Sequence, residues 1–207
     1  MTFTMSLLVP GLLLLLYPAD WLLFRTVELR SFDCFQGLDS ISQRRHWWMV
    51  PLLWLDPLRA FAGAYLLLRR CIPNREDWYA TQSVGFAVFV GILAIAVAVQ
   101  MATRRETGVL LAPIGYVAGV VLAVAPWSVS LIGLTMALVC MVACRQFYAF
   151  FSLGALILGL LGFILGRHPL WVLPTVTVMM VPIMVGLLTG RSIEVPVRKA
   201  EQPPPGT

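Results

Sequence analysis

The chain has 207 residues, of which 59% are hydrophobic and only 12% are Asp, Glu, Lys or Arg, about half the charged share of a soluble domain. That composition leaves no room for a water-soluble domain of any size. The net charge of +5 comes from residues between apolar segments, where membrane topology accounts for it without a nucleic-acid partner.

A bilayer core about 30 Å thick takes roughly 20 apolar residues per helical span. The first candidate span covers about residues 6–24. It resembles a secretory signal in length, but Met1-Thr2-Phe3-Thr4 carries no cation and Tyr17-Pro18-Ala19-Asp20 offers no small-x-small cleavage site, so a retained helix is expected. The longest polar stretch follows, Arg25 to His46, with a turn at Gly37-Leu38-Asp39-Ser40. It ends in Arg44-Arg45-His46-Trp47-Trp48, two cations and two indoles suited to anionic headgroups at a membrane interface. Topology anchoring accounts for them; a lipid-substrate site is the sharper alternative.

The second span, 48–68, contains Asp56 and Arg59. A charge at the bilayer centre costs about 2.5–3.5 kcal/mol on insertion scales, so these two residues require an explanation. At i and i+3 they share a helix face and can pair. Asp56-Pro57 also has the form of an N-cap followed by Pro at the first helical position, which predicts a break with a helix running from Pro57 to Arg70. Broken helices near the midplane build solute and ion sites. Asp56, Arg59 and Asp20 are therefore the candidate substrate or ion pathway, against the plainer reading of an internal salt bridge joining the first two spans.

Trp78 to Thr103 is a charge-free run of 26 residues and Thr107 to Cys144 one of 38. As one helix the second run would measure about 57 Å, nearly twice the hydrocarbon thickness. Ala125-Pro126-Trp127-Ser128 is the natural place to fold it back. The remaining spans are then expected at 80–102, 107–125, 128–144, 147–166 and 170–189. Gly115/Gly119, Gly162/Gly166, Ala155/Gly159 and Ala87/Gly91 have small-xxx-small spacing, which lets helix backbones approach closely, either within the bundle or against a partner. Cys140 and Cys144 form C-x-x-x-C, not the redox C-x-x-C, and with Cys34 and Cys71 they make no disulfide framework. No retinal-type Lys lies in a span, His46 and His168 fall on opposite sides of the membrane, and no hydrolase, zincin, Walker or dinucleotide motif is present. Neither a metal nor a cofactor is expected.

The fold expected is all-α, a polytopic transmembrane bundle of six or seven spans over residues 1–190, with 191–207 a disordered cytoplasmic tail. Seven spans with the N-terminus outside place Arg25, Arg30, Arg44, Arg45, Arg104, Arg105, Arg145, Arg191, Arg198 and Lys199 in the cytoplasm, as the positive-inside rule requires. Only Arg69, Arg70, Arg75 and Arg167 then lie outside. The preference for Arg over Lys, with much Ala, Gly and Leu, suggests a bacterial inner membrane. Spans poor in polar side chains point to a non-catalytic membrane component, a subunit, scaffold or accessory protein, whose partners are the lipid bilayer and another membrane protein or a second copy. A small-solute or ion transporter and a lipid-modifying enzyme are the alternatives.

Overall fold

The computed structural model describes residues 8–18, 27–30, 51–71, 83–102, 109–165 and 171–198. Among them are seven helices: α1 (Leu8–Leu16), α2 (Pro51–Cys71), α3 (Ser83–Ala102), α4 (Ile114–Val124), α5 (Trp127–Cys144), α6 (Phe147–Leu165) and α7 (Val172–Thr189). In hydrocarbon every backbone group must find a partner inside the protein, which selects helices for such apolar sequence. Four stretches, Val84–Ala102, Trp127–Cys144, Phe147–Leu165 and Val172–Thr189, are long and apolar enough to cross a membrane. They fit an integral membrane location.

Packing contacts give the helix directions. Gly11 of α1 lies against Gly63 and Leu66 of α2, and a Cβ on Gly63 would sit 2.8 Å from Leu15 Cγ, so α1 and α2 run antiparallel. Gly133 of α5 meets Leu158 of α6, and Ala137 meets Gly154. On the other side of α6, Gly162 meets Val172 and Gly154 meets Met179 of α7. Ser130 Oγ of α5 donates to Val121 O of α4 at 3.2 Å across the hairpin between them. Successive helices thus alternate, and one end of the bundle collects the C-termini of α1, α3, α5 and α7 with the N-termini of α2, α4 and α6.

Three short strands close that same end: β1 (Val27–Arg30), β2 (Val109–Leu111) and β3 (Ser192–Arg198). The first half of β3 pairs parallel with β2, Leu110 opposite Ile193; its second half pairs antiparallel with β1, Leu29 opposite Pro196. Leu110 and Ile193 are both buried. Here the expectation of a disordered tail from Arg191 fails. Ser-Ile-Glu-Val-Pro-Val-Arg alternates with the period of a strand, and β1 and β2 supply ladders for it. Residues 199–207 lie outside the described residues.

Three span expectations also need correction. The first helix stops at Leu16, with Tyr17 and Pro18 already non-helical, because Pro18 cannot continue it and disfavours helix at the residue before it. The break expected at Asp56-Pro57 is absent: α2 is continuous through Pro57. Pro57 leaves one carbonyl, four residues back, without its helical donor, while its ring and backbone form the contact with α4. Finally, the segment expected to be helical from 107 begins as strand β2, and α4 starts only after Pro113. With 11 residues, α4 is about 17 Å long, shorter than the hydrocarbon core.

Candidate functional site

The one large concentration of polar side chains among the described residues surrounds the end of α1. The last carbonyls of a helix have no intrahelical donor, and Leu15 is fully buried. Three other helices supply the donors. Gln100 of α3 donates through Nε2 to Leu15 O at 3.0 Å and to Tyr17 O at 2.8 Å. Tyr116 of α4 donates its hydroxyl to Leu15 O at 2.9 Å. Arg59 of α2 donates through one terminal nitrogen to Tyr17 O and through the other to Asp56 Oδ1 at 2.6 Å. Its guanidinium carbon also lies 5.6 Å from the centroid of the Tyr116 ring, within cation–π range.

The electrostatics agree with the geometry. A helix C-terminus carries partial negative charge, and a cation there is stabilising. Arg59 meets that field with a side chain only 7% exposed, and Asp56, 18% exposed, balances its charge. Pairing is what makes such burial tolerable, since breaking a buried pair from one side leaves an uncompensated charge. Arg59 Nε is the exception, a buried donor with no hydrogen-bond partner among the described residues.

The depth of this cluster is set by the tertiary structure. Gln100 is two residues from the end of α3, and Tyr116 is the third residue of α4. Arg59 lies about 12 Å from the start of α2. The cluster is therefore level with the sheet-side ends of α3 and α4, and not at the middle of the bundle as the position of Arg59 within 48–68 suggests.

Asp56 and Arg59 are thus brought together as the i, i+3 spacing predicts. Asp20, Arg44, Arg45, Trp47, Trp48 and Gly166 lie outside the described residues. Gly115 and Gly119 pack inside the bundle: a Cβ on Gly115 would sit 3.4 Å from Pro57 Cδ, and one on Gly119 would overlap the Pro57 carbonyl. A Cβ on Gly162 would press on Val172. Ala87 is exposed and nothing lies within 4 Å of a Cβ on Gly91, so that stripe faces away from the bundle. Gln100, Tyr116, Gly11 and Gly63 were not singled out from the sequence. Gln100 gave a signal, a carboxamide inside an otherwise apolar span, where an interhelical hydrogen bond is the usual use. Tyr116 gave none.

Among the described residues no three His, Cys, Asp or Glu side chains form a group able to hold a metal ion. Cys140 and Cys144 are free thiols near the end of α5. No family model, curated protein or solved structure matches the chain.

Proposed function

We propose that this chain is a non-catalytic component of a membrane, a polytopic subunit, scaffold or accessory protein whose outer helix faces pack against other helices or lipid. One observation carries the reading. The intramembrane polar residues are engaged in closing the C-terminal end of α1, with Leu15 O and Tyr17 O each accepting from two donors. A cation pathway of the broken-helix kind needs carbonyls free to replace an ion's hydration shell, and these two are occupied by protonated nitrogen and hydroxyl groups.

The topology proposed has seven segments, α4 completing its crossing with non-helical residues that are buried in protein, Leu110, Ala112 and Pro113. The segments attached to the sheet end contain Arg25, Arg30, Arg44, Arg45, Arg104, Arg105, Arg145, Arg191, Arg198 and Lys199. That end is assigned to the cytoplasm, with the N-terminus outside and a bacterial inner membrane as the location.

A second reading, transport of a small solute or ion, draws on the buried Arg59 Nε without a partner and on a helix that stops inside the bundle. Asp56→Asn combined with Arg59→Gln separates the two. The scaffold reading expects lower accumulation of the variant in its membrane and a lower unfolding temperature in mild detergent. Wild-type accumulation with abolished solute flux in liposomes would replace it with transport. Chemical cross-linking in the native membrane tests the partner: a lone monomer with no adduct counts against an accessory role.

A further inference from the structure

The outward face of α2 carries one straight stripe. Trp54, Leu58, Phe61, Tyr65 and Arg69 are spaced by three or four residues, and all are exposed. Phe61 and Tyr65 stack, ring centroids 6.2 Å apart and planes within 7°. Arg69 continues the stack. Its guanidinium carbon lies 5.3 Å from the Tyr65 ring centroid, and its Nε and one terminal nitrogen donate to the Tyr65 hydroxyl at 3.0 and 2.8 Å.

This arginine differs from Arg59 in one decisive respect. Arg59 is neutralised by Asp56, whereas Arg69 makes no ion pair among the described residues. Anchoring by snorkelling needs only a flexible cation that reaches water. Arg69 is held in place instead, with its remaining N–H groups uncommitted among the described residues. A fixed guanidinium presents two parallel donors, the geometry that matches a phosphate.

We propose that this stripe binds one anionic phospholipid, its phosphate on Arg69 and one acyl chain along Tyr65, Phe61 and Leu58. The length fits. Arg69 to Leu58 spans about 16 Å of helix, close to half of a hydrocarbon core about 30 Å thick, which is one leaflet. The charge fits as well, because the only cation of the stripe stands at its end, where α2 terminates opposite the sheet. The site rests on the membrane reading of α2 but on none of the residues around the end of α1.

Native mass spectrometry of the detergent-purified protein tests it, with phosphatidylglycerol and phosphatidylcholine as probes and inorganic phosphate as a third. Phosphatidylglycerol should be retained over the other two. Arg69→Gln should reduce its retention roughly tenfold, the loss expected for a charge-assisted bidentate contact. Tyr65→Phe, which keeps the ring and removes the acceptor that positions Arg69, should reduce it by less. Arg145→Gln, an exposed cation at the opposite end, should change nothing. Equal retention by Arg69→Gln, equal binding of both lipids, displacement of lipid by a second copy of the chain, or phosphate bound as well as lipid would each overturn the proposal. A protein that stays dispersed without detergent would remove the membrane reading as a whole. A detergent-requiring protein that holds no lipid at Arg69 would remove this site alone.

Discussion

The quarter of the bundle around the end of α1 and the block formed by α5, α6 and α7 are both tightly packed, by different means. In the α5–α6–α7 block the helices have 18, 19 and 18 residues, and Ser152, Thr175 and Thr189 bond back one turn, to Tyr148 O, Trp171 O and Val185 O. Contact between these helices is made through glycines: Gly133 under Leu158, Gly154 under Met179 and Gly162 under Val172. Around α1 the helices include two short ones, α1 with 9 residues and α4 with 11, and side chains from α2, α3 and α4 bond to α1 carbonyls. A helix that ends inside a low-dielectric region leaves carbonyls that only side chains can satisfy. Continuous helices carry no such demand, and close van der Waals contact at small residues is enough.

Substitutions in the two regions should separate accordingly. Arg59→Met strips Tyr17 O of one donor and leaves Asp56 buried without its cation, so destabilisation of about 3–5 kcal/mol is expected, read as a shift in denaturant unfolding in detergent. No single polar substitution in α5, α6 or α7 should approach that value, and a comparable loss from Thr175→Val would erase the distinction. Next comes Gly119→Ala. The new methyl would meet the Pro57 carbonyl, a backbone atom that cannot rotate away, and overpacking of this kind costs about 1–3 kcal/mol. Gly133→Ala meets Leu158 Cδ2 and Cγ, side-chain atoms that a rotamer change can move, and Gly91→Ala meets open space; thermal unfolding of the three should rank them in that order.

Smaller effects sharpen the comparison further. Tyr116→Phe removes one of two donors to Leu15 O while Gln100 stays, and about 0.6 kcal/mol is the usual value of such a bond within a membrane protein. A double-mutant cycle of Tyr116→Phe with Gln100→Leu should exceed the sum of the singles, since together they orphan the carbonyl. The smallest change should be stabilising. Arg145 caps α5 at φ 54, a conformation that suits glycine, so Arg145→Gly is expected to raise stability by roughly 0.5–1 kcal/mol in the same assay. Gly190, at φ 63 after α7, already has the residue its conformation favours.

Much of this was legible in the residues. The charge-free windows place α3, α5, α6 and α7 closely, because twenty apolar side chains in succession have few other uses. The hairpin between α4 and α5 was legible at Pro126, which lies just ahead of α5 as its N-cap. The pairing of Asp56 with Arg59 follows from helical spacing alone. What could not be read was the meaning of Pro57. Asp-Pro is a helix-start signal in isolation, and only the flat contact with Gly115 and Gly119 explains why α2 runs through it. Likewise, Tyr116 is an unremarkable aromatic until the end of α1 arrives beside its hydroxyl, and the strand character of residues 192–198 means little without β1 and β2 to pair with.

The chain by itself determined that its long helices suit an apolar medium, their approximate length and the identity of its buried charges, because transfer from water to hydrocarbon is a property of each side chain and adds up locally. Only the tertiary structure decided where the polar groups are needed. Whether a carbonyl at Leu15 or Tyr17 is satisfied depends on donors more than forty residues away at the nearest, and no local pattern encodes which distant side chain will stand within 3 Å of it.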